Sequence, residues 1–148
     1  MSLCDQINED IKTAMKARDA ERLNVLRMLK SAFGYTAIDQ QTDSLSDEDA
    51  LKVVRKEAKK RKEAAEQFAK GGRPEQSANE LAELKILEEF LPQALSADEI
   101  ETLVTECISE TGATSKKEMG LVMKAAQVKA AGRADGQALS GVVGRLLT

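Results

Sequence analysis

The sequence predicts an all-α protein in two parts: an N-terminal antiparallel domain of about four helices, residues 1–92, and a small three-helix domain, residues 93–148. Alanine, leucine, glutamate and lysine dominate the chain, whereas aromatic residues make up only 3% and tryptophan is absent. This composition favours helices that pack through aliphatic side chains. Apolar residues also recur every three or four positions, which is the period of an amphipathic helix.

Helix start and stop signals divide the N-terminal part. Ser46 precedes Asp49 by three residues, which is the spacing of a helix N-cap. The glycine pair at 71–72 should stop the third helix, and Pro74 suits the first turn of the fourth, which Pro92 should end. The four expected helices span residues 2–18, 20–38, 46–70 and 74–91.

Two capping-box patterns mark helices in the C-terminal part. Ser96 precedes Glu99, and Ser115 precedes Glu118, by the three residues that this motif requires. The expected helices span residues 97–111, 116–131 and 135–147.

Glycines in this part have two expected roles. Gly112 and Gly132 sit where left-handed C-terminal caps belong. Gly120, Gly141 and Gly144 fall inside expected helices, where glycine costs about 1 kcal/mol relative to alanine. We expect close helix packing to account for them, with close approach of a phosphate backbone as the alternative.

The third helix is expected to be amphipathic with a basic outer face. Arg61 departs from this pattern because it projects onto the apolar side, where it must extend outward or pair with an acid of a neighbouring helix. The candidate acids are Glu80, Glu83 and Glu88. The outer face is either a solvated surface or a second polyanion contact, and its residues are Lys52, Arg55, Lys56 and Lys59.

Composition excludes several kinds of function. The net charge is −3 and there is no histidine, so neither a whole-molecule attraction to nucleic acid nor a Ser-His triad is expected. No metal, cofactor or catalytic residue can be named. Cys4 and Cys107 match no zinc spacing and read as reduced thiols, with Cys107 on a core face. Without a signal peptide or a long apolar span, we expect a cytoplasmic protein with no membrane partner.

Charge separates within the last part of the chain. Residues 92–112 contain five acids and no base, whereas residues 113–148 contain six bases and two acids. No aromatic residue lies near these bases, so any RNA contact should use shape and phosphates rather than base stacking. The candidate nucleic-acid-binding residues are Lys116, Lys117, Lys124, Lys129, Arg133 and Arg145.

Three segments carry a family resemblance: "LNVLRMLKSA" at 23–32, "LEEFLPQALSADEIETLV" at 87–104 and "GATSKKEMGLVMKAAQVKAAGRADGQALSGVVGRLL" at 112–147. The chain resembles the YqeY family, whose C-terminal part is similar to the tail domain of the tRNA-dependent amidotransferase B subunit. The resemblance implies a hinge near Pro92 and a tRNA-contacting surface, and it transfers no catalytic residue. The residues to which it assigns this surface are Lys116, Lys117, Lys124, Lys129 and Arg133.

Three functions follow as hypotheses. The first is a non-catalytic, cytoplasmic tRNA-binding or amidotransferase-associated module, whose partners would be tRNA and an amidotransferase or another translation-related protein. The second is a protein-interaction adaptor without RNA contact, which docks through the acidic helix at 97–111 or the basic helix at 52–62. The third is a carbon–nitrogen ligase with glutamine as amido donor, an activity that would rest on domain homology alone.

Overall fold

The computed structural model describes residues 1–147 and confirms the all-α class. Within this range the chain forms seven α-helices and one short 3₁₀ turn, without a β-strand. The chain divides into two compact units, Met1–Leu91 and Pro92–Thr148, called here the N-terminal and C-terminal units. The predicted domain bounds, residues 1–92 and 93–148, stay a prediction. The helices are α1 (Leu3–Ala17), α2 (Ala20–Asp39), α3 (Asp47–Lys70), α4 (Pro74–Glu88), α5 (Ala97–Thr111), α6 (Met119–Ala130) and α7 (Gly136–Leu146), with the 3₁₀ turn Lys116–Glu118 before α6.

The N-terminal unit is built around the antiparallel pair of α3 and α4. Leu26, Leu29 and Val54 are completely buried between its helices, which places the apolar stripes of the sequence in one core. Ser77 is buried on α4, and its hydroxyl donates to the carbonyl of Ala65 on α3 at 2.8 Å. That bond satisfies a polar group that would otherwise destabilise the hairpin.

The fourth helix ends earlier than the sequence predicts. It stops at Glu88, and the backbone tightens into a turn in which the Leu91 N–H donates to the Glu88 carbonyl at 3.2 Å. The residue before a proline avoids the α conformation, so Pro92 affects the chain before its own position. The turn also buries Phe90 against the core.

The C-terminal unit packs its three helices around a small aliphatic core. Val104 and Cys107 of α5, Val122 of α6, and Leu139 and Val143 of α7 have no exposed surface. Cys107 therefore lies in the core, as the sequence predicts.

Only one of the two predicted capping boxes exists. Ser96 accepts from the Glu99 N–H at 3.2 Å, and the Glu99 carboxylate accepts from the Ser96 N–H at 3.3 Å. The second prediction is wrong because the Ser115 side chain caps nothing and the Glu118 carboxylate accepts from Thr114 instead. The chain forms a 3₁₀ turn there, so α6 begins at Met119 instead of residue 116.

The predicted packing role of the interior glycines is also wrong. A Cβ atom built on Gly120, Gly141 or Gly144 meets no heavy atom within 4 Å outside the local helix backbone. Gly112, in contrast, caps α5 in the left-handed conformation with φ of 70°, as predicted. The cap of α6 is Ala131, with φ of 49°, and Gly132 follows it with φ of 82°.

No helix in the described range is long and apolar enough to cross a bilayer.

Candidate nucleic-acid interface

The C-terminal bases that the sequence groups together belong to two structural classes. The first class is bound to other parts of the same unit. Lys129 Nζ lies 2.7 Å from Glu110 Oε1 and 3.2 Å from Glu106 Oε2, both on α5. Hydrogen bonds to Glu110 and then Glu106 raise the pKa of Lys129 above its ordinary value. Its positive charge is therefore already compensated.

Arg133 holds the beginning of the C-terminal unit in place. Its Nε donates to the carbonyl of Gln93 at 2.8 Å, and its own carbonyl accepts from the Leu95 N–H at 2.8 Å. The left-handed residues Ala131 and Gly132 turn the chain out of α6 immediately before it. The guanidinium therefore fixes the 93–95 segment, a structural role that the sequence did not indicate.

Arg145 has a weaker attachment. Its Nη2 lies 3.5 Å from Glu101 Oε2, and both side chains are about half exposed. Such surface pairs contribute little energy, so this guanidinium can exchange its partner.

The second class is free of carboxylate partners. Lys116, Lys117 and Lys124 are exposed, and no carboxylate oxygen among residues 1–147 lies within 4.0 Å of their Nζ atoms. Lys124 belongs to the solvent face of α6, while the other two lie in the 3₁₀ turn that precedes it.

The solvent face of α6 also carries apolar side chains. Leu121 is 54% exposed and Val128 is 75% exposed, so neither contributes much to the core. Gly120 lies beside them on the same helix, and the space where its side chain would stand is open. This "α6 face" (Lys117, Gly120, Leu121, Lys124 and Val128) offers positive charge next to a smooth apolar surface.

The basic outer face of α3 also carries side chains without carboxylate partners, and it extends over more residues than the α6 face. Lys52 lies 4.0 Å from both Glu48 and Asp49, the limit of an ion pair. Arg55, Lys56 and Lys59 have no such partner in the described part of the chain. The sequence prediction did not include Lys62, which is exposed and equally unpaired within residues 1–147.

Arg61 gathers three glutamates on the inner side of α3. Its Nε lies 2.8 Å from Glu83 Oε2 and 3.7 Å from Glu80 Oε2, and its Nη1 lies 3.7 Å from Glu57 Oε2. The Nε–H is not directed at an acceptor, so the attraction is an ion pair rather than an aligned hydrogen bond. Pairing with Glu80 and Glu83 confirms two of the three predicted candidates. Glu88 makes no ion pair with it.

Arg61 is also well shielded from water. Its side chain is only 16% exposed, and its Nη2 donates to the sulfur of Met28 on α2. The nearby acids are therefore engaged on the inner side of α3.

An open groove runs along α5, lined by acidic and apolar residues. Leu95 and Leu103 form its apolar part, while Asp98, Glu99 and Glu106 supply carboxylates and Lys129 closes one side. Hydrogen bonds from Ser96 lower the pKa of Glu99. Its carboxylate therefore stays charged at a lower pH than that of an ordinary glutamate. Within residues 1–147 no group of three or more histidines, cysteines or acids could hold a metal ion.

Cys107 is buried, whereas Cys4 is partly exposed. Burial is the main cause that raises the pKa of Cys4 and of Cys107 above the ordinary value. Both cysteines are free. A raised thiol pKa lowers the thiolate fraction at neutral pH, which is unfavourable for a nucleophile.

One further basic surface escaped the sequence analysis. On α2, Arg27 and Lys30 are exposed, and the side chains of Tyr35 and Ile38 extend into solvent on the same helix. The signal was available, because no acidic residue occurs between positions 22 and 38.

Comparisons with known proteins give a family match and a similar protein. The family model described as Yqey-like protein matches residues 4–147. The chain belongs to the YqeY family. It is also similar to an uncharacterized protein, C22F3.15, of Schizosaccharomyces pombe: 32% of 90 aligned residues are identical, which covers 61% of this chain and 72% of the yeast protein.

Proposed function

We propose that this YqeY-family chain is a non-catalytic, cytoplasmic module that binds tRNA or associates with an aminoacyl-tRNA amidotransferase or another translation-related protein. One observation carries the proposal: Lys116, Lys117 and Lys124 are exposed without a carboxylate partner among the described residues. The six predicted RNA-binding residues thus divide into two groups. These three lysines form the group that is available to phosphates.

Three unpaired lysines in a chain of net charge −3 attract a polyanion only locally. Phosphate oxygens are suitable partners because each lysine can donate to them without first breaking an ion pair. The open surface at Gly120 leaves space for a nucleic-acid backbone to approach the helix. The basic outer face of α3, on which Arg55, Lys56 and Lys59 are unpaired in the described part of the chain, supports a second contact with RNA phosphates.

The choice of tRNA rests on the resemblance of the C-terminal part to the amidotransferase B-subunit tail. That resemblance supplies a class of RNA and no reaction, since no nucleophile–base pair is apparent and histidine is absent from the sequence. The ligase hypothesis therefore has no residue to support it.

Titration of labelled bulk tRNA by fluorescence anisotropy tests the proposal. If three phosphates are neutralised, affinity should fall roughly 40-fold between about 50 and 200 mM salt. Replacement of Lys117 and Lys124 by glutamine should weaken binding and make this salt dependence less steep by about two contacts.

The matched control compares Lys129→Gln with Lys124→Gln, since each removes one positive charge from the same unit. Because Lys129 already faces Glu106 and Glu110, its variant should keep most of the salt dependence. Equal loss of the salt dependence in both variants would contradict the assignment to the α6 face. Absence of tRNA binding at low salt would contradict the function itself, and recovery of one stoichiometric protein partner without RNA would favour the adaptor.

A further inference from the structure

The open groove along α5 presents both apolar and acidic side chains to solvent. Leu95 and Leu103 line it and are only partly buried, although both also contact the core of the C-terminal unit. Asp98, Glu99 and Glu106 line it as exposed residues. The groove therefore combines an apolar floor with an acidic rim.

The groove stays negative although a base lines it. Lys129 Nζ lies 3.2 Å from Glu106 Oε2 and 2.7 Å from Glu110 Oε1, so two carboxylates share one positive charge. Asp98 is exposed, and no cation lies within 4.0 Å of its carboxylate in the part of the chain that the structure describes. An ion pair with Asp98 is therefore available to a ligand.

Arg133 adds a second base near the groove without cancelling its charge. Its guanidinium favours the ionised form of Glu99, while its Nε donates to the Gln93 carbonyl at 2.8 Å. The carboxylates of the three lining acids and of Glu110 thus face two bases, which leaves four negative charges against two positive ones.

The segment that supplies Leu95 is held in place by hydrogen bonds. The Leu95 N–H donates to the Arg133 carbonyl at 2.8 Å, and the Arg133 side chain holds the Gln93 carbonyl. A surface that is ordered before binding loses less conformational entropy when a partner docks. The groove is therefore formed without a ligand.

The spacing of the side chains along α5 predicts the pattern of a partner helix. Glu106 lies about 12 Å after Asp98 along the helix axis, and Leu103 lies between them, about 7.5 Å after Asp98. In another helix, two residues seven positions apart are separated by about 10.5 Å, and the residues three and four positions after the first lie on the same side. Basic residues at the two outer positions, with an apolar residue between them, therefore match the groove.

We propose that this "α5 groove" (Leu95, Asp98, Glu99, Leu103 and Glu106) binds a basic amphipathic helix of a partner protein. Lysine or arginine side chains seven residues apart pair with Asp98 and Glu106, and an apolar side chain between them packs on Leu95 and Leu103. The inference rests on the protein association in the proposed function, and it adds the surface and the chemistry of the partner.

Two other occupants match the groove less well. RNA would bring its phosphates against four carboxylates, and juxtaposed like charges are unfavourable. The basic helix α3 of a second copy has Lys52 and Lys59 seven residues apart, but Arg55 and Lys56 occupy the positions at which the pattern needs an apolar side chain. A partner helix with an apolar anchor uses both parts of the groove, since complementary charge gives specificity and apolar anchors give affinity.

A synthetic peptide tests this pattern with the full chain. The probe is a fluorescein-labelled, alanine-based helical peptide with two arginines seven residues apart and leucine three and four positions after the first arginine. Fluorescence anisotropy at low salt should show binding that weakens roughly two- to 30-fold in the double variant Asp98→Asn with Glu106→Gln, because two exposed ion pairs are lost. The matched control is Glu63→Gln with Glu66→Gln, which removes the same charge from exposed positions of α3 and should bind like the original protein.

Changes in the peptide separate the apolar anchor from the charge. Replacement of both leucines by serine should weaken binding to the original protein roughly tenfold or more, because the apolar contact is lost. Replacement of both arginines by glutamine should also weaken binding, and it should remove the difference between the original protein and the Asp98→Asn, Glu106→Gln variant. Circular dichroism should show both double variants of the protein folded, since all four replaced residues are exposed.

The outcomes distinguish this inference from the function on which it rests. Lys124 lies about 140° around α6 from Lys129, so tRNA and the peptide report on different surfaces of the C-terminal unit. If tRNA binds but the peptide does not, or if the peptide binds both double variants equally, the α5 inference is wrong and the tRNA function stands. If the peptide binds and depends on Asp98 and Glu106 while tRNA does not bind at low salt, the inference stands and the tRNA function is wrong.

If neither tRNA nor the peptide binds, both are wrong. Size-exclusion chromatography with light scattering tests the remaining occupant. A dimer that the Asp98→Asn, Glu106→Gln variant no longer forms would assign the groove to a second copy of the chain and overturn the inference.

Discussion

The N-terminal and C-terminal units each place a basic side chain against carboxylates of a neighbouring helix, but at different depths. In the N-terminal unit, Arg61 is only 16% exposed and faces three glutamates. In the C-terminal unit, Lys129 is 34% exposed and faces two. The N-terminal unit is also larger, with 91 residues against 57. A larger unit buries a greater share of its surface, which agrees with the deeper position of its charge cluster.

The largest expected effect is at Arg61. Its replacement by methionine should lower the free energy of unfolding by about 2–4 kcal/mol, because Glu57, Glu80 and Glu83 would stay close together without their cation. Urea denaturation followed by circular dichroism measures this change. Lys59→Met, on the outer face of the same helix, should stay within about 0.5 kcal/mol of the original protein. A similar decrease in the free energy of unfolding for both variants would show that burial does not distinguish Arg61 from the exposed Lys59.

A smaller effect is expected at Arg133 in the C-terminal unit. Replacement by alanine removes the bond from its Nε to the Gln93 carbonyl, so we expect a loss of about 1 kcal/mol. Amide hydrogen exchange at Leu95, whose N–H donates to the Arg133 carbonyl, should become faster. Lys124→Ala should leave that exchange unchanged. If it accelerates exchange equally, Arg133 is a surface base like the others.

The interior glycines make the C-terminal unit less stable than its fold allows. Gly120→Ala and Gly141→Ala should each raise the free energy of unfolding by about 0.5–1 kcal/mol, since both sites are open. Gly112→Ala should instead lower it by about 1 kcal/mol, because φ there is 70°. Urea denaturation of the three variants distinguishes the effect of available space from that of backbone conformation. Destabilisation by all three would show that a side chain is not tolerated at the α6 and α7 positions.

The smallest expected effects depend on pH. The raised pKa of Lys129 gives stability that is present below the ordinary lysine pKa and lost as pH rises through the raised value. The lowered pKa of Glu99 gives stability that is present above the ordinary glutamate pKa and lost as pH falls through the lowered value. The thermal midpoint of Lys129→Met should therefore vary less at alkaline pH, and that of Glu99→Gln less at acidic pH, because each variant removes the titrating group itself. Parallel pH profiles for the variants and the original protein would contradict both assignments.

The sequence predicted features that depend on neighbours in the chain and missed those that depend on distant residues. Ser46 and Ser96 cap their helices as expected because a cap involves only the next three residues. The second capping box failed because Thr114, outside the motif, binds Glu118 in the place of Ser115. The sequence could not distinguish Lys129 from the other lysines of the C-terminal unit, because its partners lie 19 and 23 residues away on α5.

The candidate surfaces follow the same rule. Helical periodicity placed Lys56 and Lys59 on the outside of α3, and it placed Arg61 on the inside together with two of its acidic partners. Periodicity could not show that Arg133 binds a backbone carbonyl, because this contact requires the loop geometry that follows Ala131. The exposure of Tyr35 was equally hidden, since an aromatic residue next to the apolar stripe of α2 usually belongs to the core.

The buried thiol of Cys107 reports on the opening of the C-terminal unit, whereas Cys4 of the N-terminal unit is only partly buried. Cys4 contributes to the packing of the N-terminal unit, and Cys107 lies wholly inside the C-terminal unit. A thiol reagent can label Cys107 only when its unit opens, and the labelling rate at a reagent concentration that does not limit it equals the opening rate. Mass spectrometry of the labelled Cys107 peptide can therefore follow the opening of the C-terminal unit in the unmodified protein, with and without RNA, while the partly exposed Cys4 serves as the accessible reference.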